Sequence, residues 1–107
     1  MTTFDKREEG FEKKFALDEE QKFKAVARRN KLLGLWAASQ LGISGDDAAA
    51  YAKQVVAAEF GAGGDADVIA KVMGDLAAKS VAVTQAQVRV KMDEFFAQAT
   101  AQVKAGK

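Results

Sequence analysis

The sequence predicts an all-α protein, and three observations carry this prediction. Proline is absent, whereas alanine is the commonest residue, which favours helices because proline breaks them and alanine has the highest helix propensity. Apolar residues recur at helical spacing in four separate segments. Helix-start patterns and glycines separate these segments. We therefore expect a four-helix bundle over residues 18–107, preceded by a mobile, partly helical N-terminal arm over residues 1–17.

The first helix is predicted to begin at Asp18, because Asp18 and Gln21 form the reciprocal N-cap and N3 pair of a capping box. Its inward face is predicted to comprise Phe23, Val26, Ala27, Leu33, Ala37 and Leu41. Leu32, Leu35 and Trp36 give this helix a second apolar face, which indicates that it is the central helix of the bundle. Gly42 is expected to end it.

The second helix is predicted to start at Ser44 and to close at Gly61, where a glycine run begins. Its inward residues are Tyr51, Val55 and Ala58. The third helix is expected over residues 65–79, and a short connector over residues 80–83. The inward face of the third helix is predicted to comprise Ile69, Val72, Met73 and Leu76.

The last helix is predicted to begin at Thr84, which forms a second capping-box pair with Gln87. An apolar stripe at helical spacing follows, and it runs to near the end of the sequence. The stripe comprises Val88, Met92, Phe95, Phe96, Ala99 and Val103. Four helices joined by connections of a few residues are typical of a compact bundle.

The composition excludes most catalytic chemistry. The sequence has no cysteine and no histidine, which excludes disulfides, thiolate metal sites, cysteine nucleophiles and histidine bases. The glycine run at 61–64 lacks the spacing and terminal Gly-Lys-Ser/Thr of a P-loop. Two acidic pairs, Asp46–Asp47 and Asp65–Asp67, are explained by their positions at helix starts. We therefore expect no enzyme activity, no cofactor and no bound metal.

Charge and hydropathy exclude two further classes. A net charge of +1 argues against a nucleic-acid-binding protein, which usually carries a basic excess. No stretch approaches the roughly 20 apolar residues that span a bilayer, and charged residues at positions 5–9 interrupt any signal-peptide core. We expect a cytoplasmic protein without membrane insertion, and a monomer when it is free.

The N-terminal arm concentrates charge around an aromatic stripe. Of the 31 charged residues, 16 lie within residues 1–31. Phe4, Phe11 and Phe15 share one helical stripe with Glu8. Three interpretations remain open: an amphipathic helix that binds a partner groove, aromatic residues that pack on the protein's own bundle, and a helix that lies on a membrane surface.

A second candidate site is the segment Arg28-Arg29-Asn30-Lys31, followed after four residues by Trp36. Three cations in four residues are suited to bind a phosphate or carboxylate, and the alternative is a solvated helix face. Asn30 lies on the apolar stripe, so we expect its amide to be satisfied inside the bundle. Gly34 costs a helix about 1 kcal/mol relative to alanine, which indicates a close crossing by another helix.

The sequence resembles the zeta subunits of alphaproteobacterial ATP synthases, a family of small inhibitor proteins. The resemblance depends on Thr3-Phe4-Asp5-Lys6-Arg7-Glu8, Phe11-Glu12-Lys13-Lys14-Phe15-Ala16 and Phe23-Lys24-Ala25. It is strongest in the run from Ala27 to Ala38, and it extends through Tyr51-Ala52-Lys53, Val55-Val56-Ala57 and Gly64-Asp65-Ala66-Asp67-Val68. It covers roughly residues 3–76 and, more loosely, the last helix.

The resemblance implies a four-helix bundle that blocks ATP hydrolysis by the catalytic head of the synthase. The N-terminal helix would insert at an interface between the alpha and beta subunits, next to gamma, and act there as a one-way stop. The protein would be peripheral to the inner membrane through the synthase. The expected contact residues are Phe4, Arg7, Glu8, Phe11, Glu12, Lys14 and Phe15, with Phe11 and Phe15 as apolar anchors.

The alternative function is a small helical bundle that senses a nucleotide or metabolite through Arg28, Arg29, Lys31 and Trp36. If this alternative holds, adding ATP or ADP should produce NMR chemical-shift changes clustered near Arg28, Arg29 and Trp36. A titration without localised changes would discard it.

Overall fold

The computed structural model describes residues 17–107, and all regular structure in this range is helical. The four helices are α1 (Glu19–Gln40), α2 (Gly45–Ala58), α3 (Asp65–Ala78) and α4 (Gln85–Lys104). The predicted all-α class and the four-helix architecture are confirmed. The predicted arm, except Leu17, lies outside the described residues.

Two of the helices begin at capping boxes, as their sequences predict. At α1, the Gln21 backbone N–H donates to Asp18 Oδ1 at 2.7 Å, and the Asp18 N–H donates to Gln21 Oε1 at 3.2 Å. At α4, the Gln87 N–H donates to Thr84 Oγ1 at 3.1 Å, and the Thr84 N–H donates to Gln87 Oε1 at 2.8 Å. Each pair satisfies two backbone donors that a helix start otherwise leaves unpaired.

The core lies around α1, which packs mainly against α2 and α4 and confirms its predicted central position. Leu33 and Ala37 of α1 are fully buried. The rest of the core follows the predicted stripes closely. Its buried members from the other helices include Tyr51, Val55, Val68, Ile69, Val72, Leu76, Val88 and Met92.

Phe23 departs from the predicted inward face, since it is 61% exposed. The reason is a difference in helix length. α1 has 22 residues and α2 has 14, which correspond to about 33 and about 21 Å at 1.5 Å per residue. Glu59, which follows the end of α2, hydrogen-bonds Asn30 in the middle of α1. The turns of α1 before Asn30 therefore extend beyond α2, and Phe23 is left without a helix over it.

Helices α1 and α2 cross closely at Gly34. A Cβ atom on Gly34 would lie 2.7 Å from the Ala52 Cα and 3.2 Å from the Val55 Cβ. No real Cβ atom approaches backbone so closely without displacing it. The close crossing predicted from this glycine is confirmed. It explains why a residue that weakens the helix occupies a buried position in α1.

The connector at 80–83 forms no strand, and no described helix is both long and apolar enough to span a bilayer. α2 and α3 are joined outside the core by the Tyr51 hydroxyl, which donates to Asp75 Oδ2 at 2.8 Å.

We expect Gly34→Ala to lower the free energy of unfolding by about 1–3 kcal/mol, because the added methyl group must push α2 away from α1. Gly74→Ala provides the matched control, since Gly74 lies within α3 and a Cβ there would meet nothing within 4 Å. That change should stabilise the protein by up to about 1 kcal/mol through helix propensity alone. Urea unfolding of both variants measures the contrast, and equal shifts of the same sign would contradict it.

Candidate functional site

The predicted partner-binding residues lie outside the described part of the chain. They are Phe4, Arg7, Glu8, Phe11, Glu12, Lys14 and Phe15. Their roles therefore stay predictions. The described residues show instead what the bundle presents around the start of α1, where this segment joins it.

The four residues of the Arg28–Lys31 segment lie in different environments. Arg28 is half-buried, and its Nη1 donates to Gln102 Oε1 at 3.4 Å. A second nitrogen of Arg28 donates to the backbone carbonyl of Lys107. Arg29 and Asn30 are buried, whereas Lys31 is exposed. One short stretch of α1 thus faces α4, the interior and the solvent in turn.

Arg29 is the centre of a partly buried ionic group, which we call the Arg29 cluster: Arg29, Asn30, Glu59 and Asp65. Arg29 Nη2 and Nη1 donate to the two Asp65 carboxylate oxygens at 2.7 and 3.3 Å. Nη2 also lies 3.3 Å from Glu59 Oε2. The Arg29 side chain is only 8% exposed, and its guanidinium has carboxylate partners from its own chain.

Asn30 completes the Arg29 cluster. Its Oδ1 accepts a hydrogen bond from Arg29 Nε at 3.0 Å, and its Nδ2 donates to Glu59 Oε2 at 3.2 Å. The prediction that the Asn30 amide is satisfied inside the bundle is confirmed. Together these bonds tie α1 to both ends of the turn between α2 and α3. Sequence reasoning missed the contribution of Glu59, which lies 29 residues from Asn30.

The two carboxylates of the Arg29 cluster differ in acidity. Burial raises the pKa of the Glu59 carboxyl above its ordinary value, and the neighbouring Asp65 carboxylate raises it further. Hydrogen bonds from Arg29 hold the pKa of Asp65 below its ordinary value. A proton taken up by this pair therefore resides on Glu59, and Asp65 remains the ionised partner of Arg29.

The candidate anion-binding residues do not share one cleft. Arg28 lines a polar cleft with Lys24 and Lys107, whereas Arg29 lines another with Asp65 and Arg89. Trp36 lines a third groove, between α1 and the start of α4, with Val90 and Lys91. Within residues 17–107, no group of three or more acidic side chains is placed to hold a metal ion.

An apolar groove lies beside the first turns of α1, and we call it the aromatic groove. Its floor and rim come from α1 and from the end of α2. The lining residues are Glu19, Lys22, Phe23, Val26, Ala27, Asn30, Val56, Glu59 and Phe60. Sequence reasoning did not single out Phe60. The available signal was an aromatic residue directly before a glycine run, where no helical stripe accounts for it.

Comparison with known proteins identifies relatives of this chain. The sequence model of a family described as ATPase inhibitor subunit zeta matches residues 1–102. A solution NMR structure is 50% identical in sequence and superposes with a TM-score of 0.69; the match covers 79% of this chain and 96% of the other. No curated protein matches.

We expect Asp65→Asn to lower the free energy of unfolding at neutral pH by up to about 1 kcal/mol, a modest effect because the Asp65 side chain is 59% exposed. The pKa of Asp65 is depressed in the folded state, so its stabilisation is present above the unfolded pKa and is lost as the pH falls. The stability deficit of the variant relative to wild type should therefore shrink as the pH falls below 3.8, the ordinary pKa of an aspartate. Unfolding measured from about pH 3 to about pH 7 tests this.

Glu59→Gln should show the opposite pH slope. The pKa of Glu59 is raised in the folded state above its ordinary 4.5, so wild-type stability is lost as the pH rises through the folded pKa. A neutral glutamine does not ionise, and the stability of the variant relative to wild type should increase over that range. Parallel pH slopes for the two variants would contradict the division of roles between the carboxylates.

Proposed function

The chain belongs to the ATPase inhibitor subunit zeta family, and from this premise we propose that it inhibits ATP hydrolysis by the catalytic head of an F-type ATP synthase. The observation that carries the proposal is the extent of the family match, which spans residues 1–102 and so includes the N-terminal segment as well as the bundle. We propose a regulatory subunit without enzyme activity of its own.

The N-terminal segment is the inhibitory element in this proposal. Phe11 and Phe15 lie four residues apart, which places them side by side on one face of a helix. Burying each phenyl ring at an interface contributes roughly 1.5–3 kcal/mol. Inserted between alpha and beta next to gamma, the segment would obstruct rotation in the hydrolysis direction. Arg7, Glu8, Glu12 and Lys14 would make the polar contacts there.

The bundle supplies a rigid body from which this segment extends. The capping box at Asp18 fixes the residue at which α1 starts. In this proposal the bundle docks outside the cleft while the preceding residues enter it. Mechanical obstruction requires no nucleophile and no metal. The protein would be held at the inner membrane through the synthase.

No structural observation favours the nucleotide-sensor alternative. Arg28, Arg29 and Trp36 line three different clefts, and Arg29 is paired with Glu59 and Asp65. The alternative stays a prediction that the titration described above decides.

We expect deletion of residues 1–17 to abolish inhibition of ATP hydrolysis while the bundle remains folded, because the residues described after position 17 form a buried core among themselves. Far-UV circular dichroism checks the fold, and an ATPase assay with the isolated catalytic head measures inhibition. If the truncated chain inhibits as well as the full one, the segment is not the effector.

A double substitution, Phe11→Ala with Phe15→Ala, should weaken inhibition by at least about tenfold, because two apolar anchors are lost. Val90→Ala is the matched control: Val90 is an exposed apolar residue of α4, outside the segment. Comparable losses in both variants would indicate a general surface effect rather than anchoring by the segment.

A further inference from the structure

The aromatic groove leaves two large aromatic side chains on the surface. Phe60 is 71% exposed and Phe23 is 61% exposed. Their ring centroids lie 6.3 Å apart, within the range of an aromatic pair. The groove has a volume of about 290 Å³, and since a cavity of about 150 Å³ binds one benzene, it has room for roughly two phenyl rings. Two exposed aromatic rings beside an apolar groove are suited to bind an apolar partner.

We propose that in the free protein the aromatic groove binds the protein's own N-terminal segment, residues 1–16, folded back along α1 as an antiparallel helix. The docking itself concerns this chain alone. Its regulatory consequence rests on the proposed function: the segment is sheltered on the bundle until the catalytic head competes for it.

The path of the chain favours the N-terminal segment as the occupant of the aromatic groove. The segment ends only three residues before Glu19, which lines the groove. Asp18 has extended backbone angles, φ −72° and ψ 174°, and its side chain closes the start of α1. The connection Ala16–Asp18 falls within the two to five residues that join antiparallel helices. The segment therefore reaches the groove without crossing the bundle.

The lengths of segment and groove also match. Along α1 the groove runs from Glu19 to Asn30, which is about 16 Å at 1.5 Å per residue. Phe4 and Phe15 are separated by the same number of residues. In an antiparallel hairpin with this connection, Phe15 is level with Glu19, and Phe11 is level with Phe23. Phe11 and Phe15 are the two rings for which the groove has room.

The apolar surfaces of the segment and the groove are complementary. Val26, Ala27 and Val56 offer apolar contacts to the phenylalanine stripe. Glu8 lies on that same stripe, and Lys22 supplies a cation at the groove. The groove also carries the carboxylates of Glu19 and Glu59, so the apolar contacts of Phe11 and Phe15, rather than charge pairing, favour the docking.

Docking on the bundle competes with inhibition, because the same phenylalanines serve both. The apparent affinity of the protein for the catalytic head is reduced by the fraction of molecules whose segment is free. Docking in the groove thereby raises the concentration of the protein that is needed to inhibit ATP hydrolysis.

The full-length chain can be tested directly. It has no cysteine, so Lys13→Cys gives one attachment site for a nitroxide spin label, on the side of the segment opposite the phenylalanines. In the free protein, the label should broaden the amide NMR signals of Phe23, Val26 and Phe60. The broadening should disappear when Phe23→Ser and Phe60→Ser are added. Val90→Ser, at an exposed residue of the groove beside Trp36, should leave it unchanged.

Several results would overturn the docking. Absence of broadening would do so, as would broadening that survives the double substitution. A second experiment mixes spin-labelled chains with separate isotope-labelled ones, and broadening between chains would assign the groove to a second copy instead. Both phenylalanines are mostly exposed, so the bundle should tolerate serine there, and unchanged amide shifts in α3 and α4 verify this.

An ATPase assay tests the competition. The Phe23→Ser, Phe60→Ser variant should inhibit at a concentration about three- to tenfold lower than wild type, because its segment is no longer sequestered. Equal inhibition would overturn the competition, and weaker inhibition would assign the groove to contact with the catalytic head. If the wild-type chain itself does not inhibit, the proposed function fails, while the NMR result on the free chain still decides the docking.

Discussion

The close crossing at Gly34 sets the geometry of this bundle. The backbone of Ala52 occupies the space that a side chain on Gly34 would need, and α2 is held against the middle of α1. Because α2 is the shorter helix, it ends opposite Asn30. That position brings Glu59 to the Arg29 cluster, and it leaves the Phe23 side of the first turns of α1 without a covering helix. The absence of a side chain at Gly34 thus determines the positions of both the Arg29 cluster and the aromatic groove.

We expect the Arg29 cluster to contribute more to the specificity of the fold than to its net stability. The free-energy cost of removing two charges from water is about as large as the electrostatic attraction between them. Losing one partner, by contrast, leaves the other charge buried and unpaired. Arg29 therefore disfavours any arrangement in which the α2–α3 turn lies elsewhere. Within the turn at 61–64, the Gly63 N–H donates to Asp67 Oδ2 at 2.9 Å. The carboxylates on either side of the turn, Glu59 and Asp65, add the restraint that ties it to α1.

Sequence patterns predicted those structural features that depend on residues close together in the sequence. Both capping boxes were predictable because donor and acceptor are three residues apart, and Gly34 was informative because glycine is unfavourable inside a helix. The inward orientation expected of Phe23 was wrong, since periodicity carries no information about where a neighbouring helix ends. Glu59 escaped notice because its partners are 29 and 30 residues away. The family assignment came from a resemblance rather than from physics, and the family match confirms it.

The capping box at Asp18 has an evolutionary consequence. Its reciprocal hydrogen bonds form within four residues, so the start of α1 is specified without reference to the sequence that precedes it. Mutations upstream can therefore accumulate without a penalty in the start of α1, and the leading segment can vary in sequence independently of this helix. Chimaeras that graft the leading segment of one relative onto the bundle of another should therefore start α1 at the same residue.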